Sequence, residues 1–364
     1  MRALVVGGGA VGSLLAWALA EGGAAVTLVR RRAPGAGLER LTVAGPGRSR
    51  STADLAIAPS ADALDTEPDV IVLAVKVFDV AEAAASLPTF ASATLLTVQN
   101  GFGSEDAVRA VRPRDLLVAG SLTAAVDLQS DGTVRWLRRG GIGLASVLDG
   151  GASSAVNDDV RGVARDLATA FGHAGLSSRV YPDWRAMKWS KLIANLVGNA
   201  TSALIDRSPA SIYADPRLFE IEREQLLEAF AVVRGLGLRP VSLPGADVTR
   251  LELALALPAP VARTILGVAV GGGRGGKDPS LRLAFAARSE TTEVQWLNGA
   301  VVRSGEALGI ATPVNRALTE LVERAAGDDE LRQRLRGRPE ALTDAVAGYR
   351  ARPDAPVESR PAGG

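Results

Sequence analysis

Lysine is used sparingly in this sequence, with four copies, Lys76, Lys188, Lys191 and Lys277, among 41 basic residues. Arginine stays charged near neutral pH, whereas a lysine ammonium can give up a proton when its surroundings shift its pKa. A lysine at a polar position is therefore a candidate proton donor. We expect Lys76 and Lys191 to have chemical roles, and Lys188 and Lys277 to be solvated surface charges.

Lys191 belongs to a predicted helix that also carries Asn195 and Asn199. These three residues are spaced at i, i+4 and i+8, so they form one polar stripe on an otherwise apolar helix. Such a stripe faces either water or a polar cleft. This chain normally uses Arg, Glu and Asp on faces that are exposed to water. Because the stripe consists of lysine and asparagine instead, we favour a polar cleft as its surroundings.

Further polar side chains follow two predicted strands. Gln99 and Asn100 come at the end of one strand, and Lys76 comes at the end of the strand before it. Ligands of parallel sheets bind outside these strand ends, so both positions are candidate site residues. Nearer the C-terminus, Glu290 and Glu293 are predicted on adjacent turns at the start of a helix, where a solvated carboxylate also fits the helix dipole.

A glycine motif, Gly7-x-Gly9-x-x-Gly12, follows an apolar strand at 2–6 and begins a predicted helix at about 10–22. Glycines allow a tight turn and close approach of a pyrophosphate, and the helix N-terminus offers free N–H groups. The alternative is a structural glycine turn, but strand, spacing and helix together favour a dinucleotide site. We expect Ala10 and Val11, between the last two glycines, to contact the cofactor with them.

The end of the second predicted strand reads Val29-Arg30-Arg31-Arg32, where a protein specific for NAD or FAD has an acidic residue. Guanidinium groups suit a 2′-phosphate, so the sequence predicts NADPH over NADH and disfavours FAD. The three arginines also fit a solvated charge run.

Over the first 120 residues, short apolar runs that predict strands alternate with patterns that predict helices. These elements must position the candidate site residues. This alternation predicts an α/β fold, with a Rossmann-like parallel sheet and an antiparallel extension around Asp131-Gly132. From about residue 189 the pattern is helical. We predict a dinucleotide-binding domain at 1–185, an all-α domain at 186–348 and a disordered tail at 349–364, with a flexible loop at 271–280.

The composition excludes several classes of protein. A formal net charge of +1 provides no global field for nucleic acid or an anionic membrane. The absence of cysteine excludes thiolate chemistry, and the single histidine, His173, is predicted at a helix end. An apolar stretch at 251–273 contains too many prolines and charges to span a membrane, and glycines interrupt the signal-like N-terminus. We expect a cytoplasmic protein without a metal site.

In chain order, these motifs resemble those of the ketopantoate reductase family. The motifs are the glycine turn with its trailing arginine, Val75-Lys76, Gln99-Asn-Gly-x-Gly103, Lys191-Leu-x-x-Asn-x-x-x-Asn199, Thr292-Glu-x-x-x-x-Asn-Gly299 and Gly309-Ile-x-Thr-Pro-x-Asn315. The resemblance extends from residue 1 to about residue 320. It implies NADPH-dependent reduction of 2-dehydropantoate to pantoate, a step of pantothenate and coenzyme A biosynthesis, by a Rossmann domain joined to a helical domain.

The resemblance also implies roles for single residues. Lys191 matches the family's catalytic lysine and Glu293 its active-site glutamate, while Lys76 and Arg31 match its cofactor-side lysine and 2′-phosphate arginine. The matching substrate residues are Asn100, which is also on the cofactor side, Asn195, Asn199 and Ser280. Ser280-Leu-Arg282 departs from the family's usual serine segment, and Arg282 is a further candidate for the substrate carboxylate.

Hydride transfer to a ketone puts negative charge on oxygen, so a site for it needs a cation and a proton donor. Lys191 can supply both. Alternative hypotheses are a family relative that reduces a different 2-keto acid or an imine, and a non-catalytic protein that senses NADPH. The predicted partner is a small 2-oxo acid. The oligomeric state stays open, with a homodimer as one assembly.

Overall fold

The computed structural model describes residues 1–31, 35–46, 48–64, 66–90, 92–148, 154–273, 278–289 and 291–351. The strands of this part of the chain are Arg2–Val6 (β1), Ala25–Val29 (β2), Gly37–Gly45 (β3), Arg48–Ala58 (β4), Val70–Leu73 (β5), Thr94–Thr97 (β6), Leu116–Leu122 (β7), Ala125–Leu128 (β8), Val134–Arg138 (β9), Gly141–Ser146 (β10) and Ser177–Val180 (β11). They form one mixed sheet in the order β11-β10-β7-β6-β5-β1-β2-β4-β3-β9-β8.

The helices surround and follow this sheet. They are Ala10–Glu21 (α1), Val80–Ala85 (α2), Ser104–Val111 (α3), Ser154–His173 (α4), Trp184–Leu196 (α5), Ala200–Ile205 (α6), Pro209–Ala214 (α7), Pro216–Gly235 (α8), Val248–Leu255 (α9), Ala259–Gly273 (α10), Ser280–Ala286 (α11), Asn298–Leu308 (α12), Pro313–Gly327 (α13), Asp329–Leu335 (α14) and Pro339–Arg350 (α15).

The middle of the sheet is the predicted parallel arrangement, because β4, β2, β1, β5, β6 and β7 are parallel neighbours. Every residue of β5 and β6 is buried, as expected for strands covered on both faces. One core lies between the sheet and α1 with α4, and a second packs α2, α3 and the start of α5 on other sheet residues. The predicted α/β fold class is confirmed.

Antiparallel pairing is also present, in more places than the sequence predicts. β8 and β9 form the expected hairpin, with Gly132 at φ +82°, and β10 runs antiparallel to β7. A further hairpin, β3–β4, is missing from our sequence prediction. Its inward face holds only four buried apolar residues, and charged residues such as Arg40 and Asp54 pair across its outer face. No uninterrupted apolar run marks it in the sequence.

The apolar stretch at 251–273 covers most of α9 and all of α10. No helix in the described ranges is both long and apolar enough to cross a membrane. His173 ends α4, as predicted, and Gly175 follows it at φ +79°. The predicted flexible loop at 271–280 is wrong at both ends, because residues 271–273 belong to α10 and Ser280 begins α11. The predicted disordered tail at 349–364 is wrong at its start, because α15 continues to Arg350. Residues 274–277, which include Lys277, and residues 352–364 lie outside the described residues.

The chain forms two compact units. The sheet unit comprises Met1–Asn195, Leu238–Leu253 and Gly272–Lys277, and the helical unit comprises Leu196–Gly237, Ala254–Gly271 and Asp278–Gly364. The predicted domain limits after residues 185 and 348 stay predictions.

Candidate active site

The glycine turn of the sheet unit has the geometry that a pyrophosphate requires. Gly7 has φ +113°, and a Cβ there would lie 2.7 Å from the carbonyl oxygen of Ala74. A Cβ on Gly12 would collide with the carbonyl of Gly7. Gly9, the residue before α1, faces open space instead. These residues fit a dinucleotide phosphate group, because the turn is tight and the helix N-terminus stays accessible.

The arginines after β2 have different surroundings. Arg30 Nη1 lies 2.6 Å from both carboxylate oxygens of Glu39 on β3, and its side chain packs against Gly8 of the glycine turn. Arg31 is exposed, and Arg32 lies outside the described residues. Glu39 is a residue that our sequence analysis missed, because β3 was not predicted. Its ion pair fixes Arg30 beside the turn and leaves Arg31 as the exposed neighbour.

The side chain of Gln99 forms hydrogen bonds that connect the ends of β5 and β6. The buried Gln99 donates from Nε2 to the carbonyl oxygens of Leu73, at 2.6 Å, and Val75, at 3.2 Å. The exposed Lys76 follows directly after Val75, and Asn100 follows Gln99. Both predicted site residues are therefore carried by strand ends that Gln99 ties together.

Helix α5 places Lys191 and Asn195 in one hydrogen-bonded row with Asn100. Lys191 Nζ donates to Asn195 Oδ1 at 2.8 Å, and Asn195 Nδ2 donates to Asn100 Oδ1 at 3.1 Å. All three side chains are half-buried. The predicted one-turn spacing of Lys191 and Asn195 is thus confirmed in the sheet unit.

The predicted continuation of this stripe to Asn199 is wrong. Helix α5 ends at Leu196, and Gly198 adopts φ +56°, a left-handed conformation that interrupts the helix before α6. Asn199 belongs to the helical unit, where its Oδ1 accepts from the backbone N–H of Leu281 at 3.1 Å and its Nδ2 lies 3.4 Å from Ser280 Oγ. The side chain of Asn199 therefore caps the start of α11.

The prediction for Lys188 is also wrong. This residue is fully buried rather than solvated, and its Nζ lies 3.0 Å from Glu105 Oε1 and 2.8 Å from the carbonyl oxygen of Gln99. Glu105 is the second residue of α3 and is fully buried as well. Local sequence patterns do not reveal this pair, because Glu105 belongs to α3 and Lys188 to α5.

The remaining predicted residues belong to the helical unit. Glu293 is buried, with 7% of its surface exposed, and precedes a short 3-10 turn rather than standing in a helix, since α12 begins only at Asn298. Glu290 lies outside the described residues. Arg282 forms ion pairs with Asp206, at 3.1 Å, and Asp278, at 2.7 Å, so its guanidinium has two acidic partners in the same unit.

Two asparagines of the quoted motifs have structural contacts in the helical unit. Asn298 Nδ2 donates to Gln225 Oε1 at 2.9 Å and to Asn315 Oδ1 at 3.0 Å. Asn315 Nδ2 in turn donates to Glu228 at 2.7 Å, and that carboxylate also accepts the backbone N–H groups of Val314 and Asn315. Burial raises the pKa of Glu228 to about 7. These motif asparagines join α8, α12 and α13.

Comparisons with known proteins agree with this architecture. A family model described as ketopantoate reductase PanE/ApbA matches residues 3–148, and the model of the same family's C-terminal part matches residues 183–326. A 2-dehydropantoate 2-reductase of Halobacterium salinarum is 30% identical over 334 residues, which cover 90% of this chain and 100% of the relative.

Solved structures give the same result for the fold. A PanE/ApbA family ketopantoate reductase from Ralstonia eutropha JMP134 superposes with a TM-score of 0.69 at 26% identity, covering 91% of this chain and 99% of the other. D-mandelate dehydrogenase, solved with NADH and anilino(oxo)acetate, has a TM-score of 0.68 at 21% identity over 91% of this chain and 99% of the other, which shows a shared fold.

The two family models together cover most of the sequence, and their order follows the sheet unit and then the helical residues. Together with the curated relatives, they support reduction of a 2-oxo acid with a nicotinamide cofactor. The chain belongs to the ketopantoate reductase family and is an oxidoreductase that acts on a keto group.

Proposed function

We propose that this protein reduces 2-dehydropantoate to pantoate with NADPH. The single observation that supports it most is the row formed by Lys191, Asn195 and Asn100, which joins a proton-bearing cation to the strand end where ligands of such sheets bind. The reaction consumes one ketone, one NADPH and one proton, and it yields the secondary alcohol and NADP⁺. When bound, the cofactor supplies the hydride.

In this proposal Lys191 acts on the carbonyl oxygen of the substrate. Its ammonium has three N–H donors, one of which is directed to Asn195. Donation of another to the substrate oxygen stabilises the negative charge that develops there, and transfer of that proton completes the alcohol. Asn195 and Asn100 hold the lysine in position, and their amides are further donors for substrate oxygen atoms.

Residues of the helical unit have proposed roles as well. Glu293 binds a substrate hydroxyl group, and its burial suits a hydrogen-bonding role better than a solvated one. Ser280 and Asn199, which lie 3.4 Å apart, are candidate donors to the substrate carboxylate. Arg282 is a weaker candidate, because Asp206 and Asp278 already neutralise its charge.

On the cofactor side, we propose that Gly7, Gly9, Ala10, Val11 and Gly12 contact the pyrophosphate and that Arg31 binds the 2′-phosphate. The glycine turn supports the first assignment, and the exposed guanidinium beside the neutralised Arg30 supports the second. Lys76 and Asn100 then belong to the same cofactor side, at the ends of β5 and β6.

The experiment that tests this function follows NADPH absorbance with purified protein and 2-dehydropantoate. A panel of branched 2-keto acids and a cyclic imine is run beside it. We expect kcat/KM to be highest for 2-dehydropantoate. Preference for another keto acid or for the imine would reassign the substrate, and NADPH binding without turnover on any compound would favour the sensing hypothesis.

A further inference from the structure

The sheet unit contains a fully buried ion pair between Lys188 and Glu105. Both side chains have 0% exposure, and Nζ lies 3.0 Å from Oε1. Removing two charges from water is expensive, and apolar residues of similar volume are often as stabilising as such a pair. A contribution to stability alone therefore does not explain why this position holds a buried ion pair.

The contacts of the pair define what it holds. Lys188 Nζ also donates to the carbonyl oxygen of Gln99 at 2.8 Å, and this carbonyl belongs to the peptide that leads directly into Asn100. Glu105 accepts from Thr97 Oγ1 at 2.7 Å and from Ser104 Oγ at 3.0 Å. The last residue of β6, the second residue of the loop that follows it and the first residue of α3 therefore converge on one ion pair.

Aromatic contacts fix the same loop on the same helix. Phe102 stacks on Trp184 with the ring centroids 5.6 Å apart and packs on Trp189 at 5.2 Å. Both tryptophans belong to α5, and they lie on either side of Lys188 in sequence. The loop after β6 is thus docked on α5 by an ion pair and by three rings.

We propose that Lys188 and Glu105 are positioning residues, which set the distance between Asn100 and the α5 residues Lys191 and Asn195. Lys188 precedes Lys191 by one helical turn, and Gln99 precedes Asn100 directly. The hydrogen bond from Lys188 Nζ to the carbonyl oxygen of Gln99 therefore also sets where Lys191 lies relative to Asn100. The inference rests on the proposed reductase function. Neither positioning residue needs to touch the substrate.

The test uses the double variant Lys188→Met/Glu105→Gln, which removes both charges and leaves no unpaired buried ion. We expect its Tm to stay close to that of the wild type, because the buried volume is retained. We expect kcat to fall about tenfold or more, the scale of a small misplacement of reacting groups, with the KM for NADPH unchanged. The single variant Lys188→Met leaves Glu105 buried without its partner and is expected to unfold more readily.

Arg112→Met is the matched control. Arg112 directly follows α3 and donates to the carbonyl oxygens of Ala84, Leu87 and Pro88, away from Asn100. Its loss should lower the Tm and leave kcat near that of the wild type. A double variant with wild-type Tm and wild-type kcat would overturn the proposal, as would an Arg112→Met variant with the same loss of kcat.

A second readout separates this inference from the proposed function. Because the chain has four lysines, protein labelled with ¹³Cε-lysine has only four side-chain environments to resolve. We expect the Lys191 signal, identified by its loss in Lys191→Ala, to shift in the double variant and to stay in place in Arg112→Met. If the wild type proves inactive on every substrate, this shift still supports the positioning role, and an unmoved signal refutes it.

Discussion

Lys188 and Lys191 lie one helical turn apart on α5 and have opposite surroundings. Lys188 is fully buried with a carboxylate and a carbonyl oxygen as its partners, whereas Lys191 is half-buried and donates to an amide oxygen. In the proposed reaction it is the ammonium of Lys191, and not that of Lys188, that gives its proton to the substrate oxygen.

Replacement of Lys191 tests the proposed proton donor. Lys191→Ala should lower kcat roughly a hundredfold or more, since it removes both charge stabilisation and the proton, and should leave the Kd for NADPH nearly unchanged. Lys191→Arg keeps a charge that does not readily release a proton, so little rescue is expected from it. Steady-state kinetics and a fluorescence titration with NADPH measure these effects. Near-normal turnover in Lys191→Ala would exclude this residue as the proton donor.

Cofactor preference is a second property that single residues set. Arg31→Ala should raise the KM for NADPH roughly ten- to a hundredfold, because a charge-assisted hydrogen bond is worth about 1.5–3 kcal/mol, and should change the use of NADH little. Arg30→Ala is the matched variant. Its guanidinium already pairs with Glu39, so we expect a smaller effect on the ratio of the two cofactors. An equal loss with NADPH and NADH in Arg31→Ala would contradict the assignment.

At the scale of elements, Glu228 on α8 caps α13, and its titration should be visible in the stability of the protein. Burial raises its pKa from 4.5 to about 7. Between these values the folded protein holds a proton that the unfolded chain has lost, so the free energy of unfolding should decrease as the pH rises through this interval. The total change is on the order of 3 kcal/mol, at about 1.4 kcal/mol for each pKa unit.

Glu228→Gln removes this titration, so its unfolding free energy should vary less between pH 4.5 and 7. Urea unfolding at four pH values in this range measures the slope. Glu340→Gln is the control, because a backbone hydrogen bond and Arg217 hold the pKa of Glu340 below its ordinary value and outside the interval. A slope in Glu228→Gln as steep as that of the wild type would refute the role of this carboxylate.

The elements also show where sequence patterns are informative. The five parallel strands β1, β2, β5, β6 and β7 are predictable because buried strands need continuous apolar runs. The break between α5 and α6 is not, since Gly198 looks like a tolerated helical glycine until its φ of +56° is known. The burial of Lys188 depends on Glu105, which stands 83 residues earlier, and no local pattern contains that contact.

At the scale of the whole molecule, the order of motifs carried more information than any one motif. The family models match 3–148 and 183–326, and α4 and β11 fall mainly in the segment that separates them. Fold class and family were predictable because those motifs lie on the glycine turn, the strand ends and α5. The residue contacts within each unit were not, because Gln99, Glu105 and Gln225 act through contacts with residues far away in the sequence.

The burial of Lys188 makes its amine a natural probe of opening in the sheet unit. Acylating reagents react with accessible amines, so exposed Lys76 should be modified in the native protein while Lys188, at 0% exposure, is shielded. Modification of Lys188 then requires a local or global opening that separates α5 from the loop after β6. Peptide mass spectrometry of the acylated chain can follow that opening over time, without a substitution in the sequence.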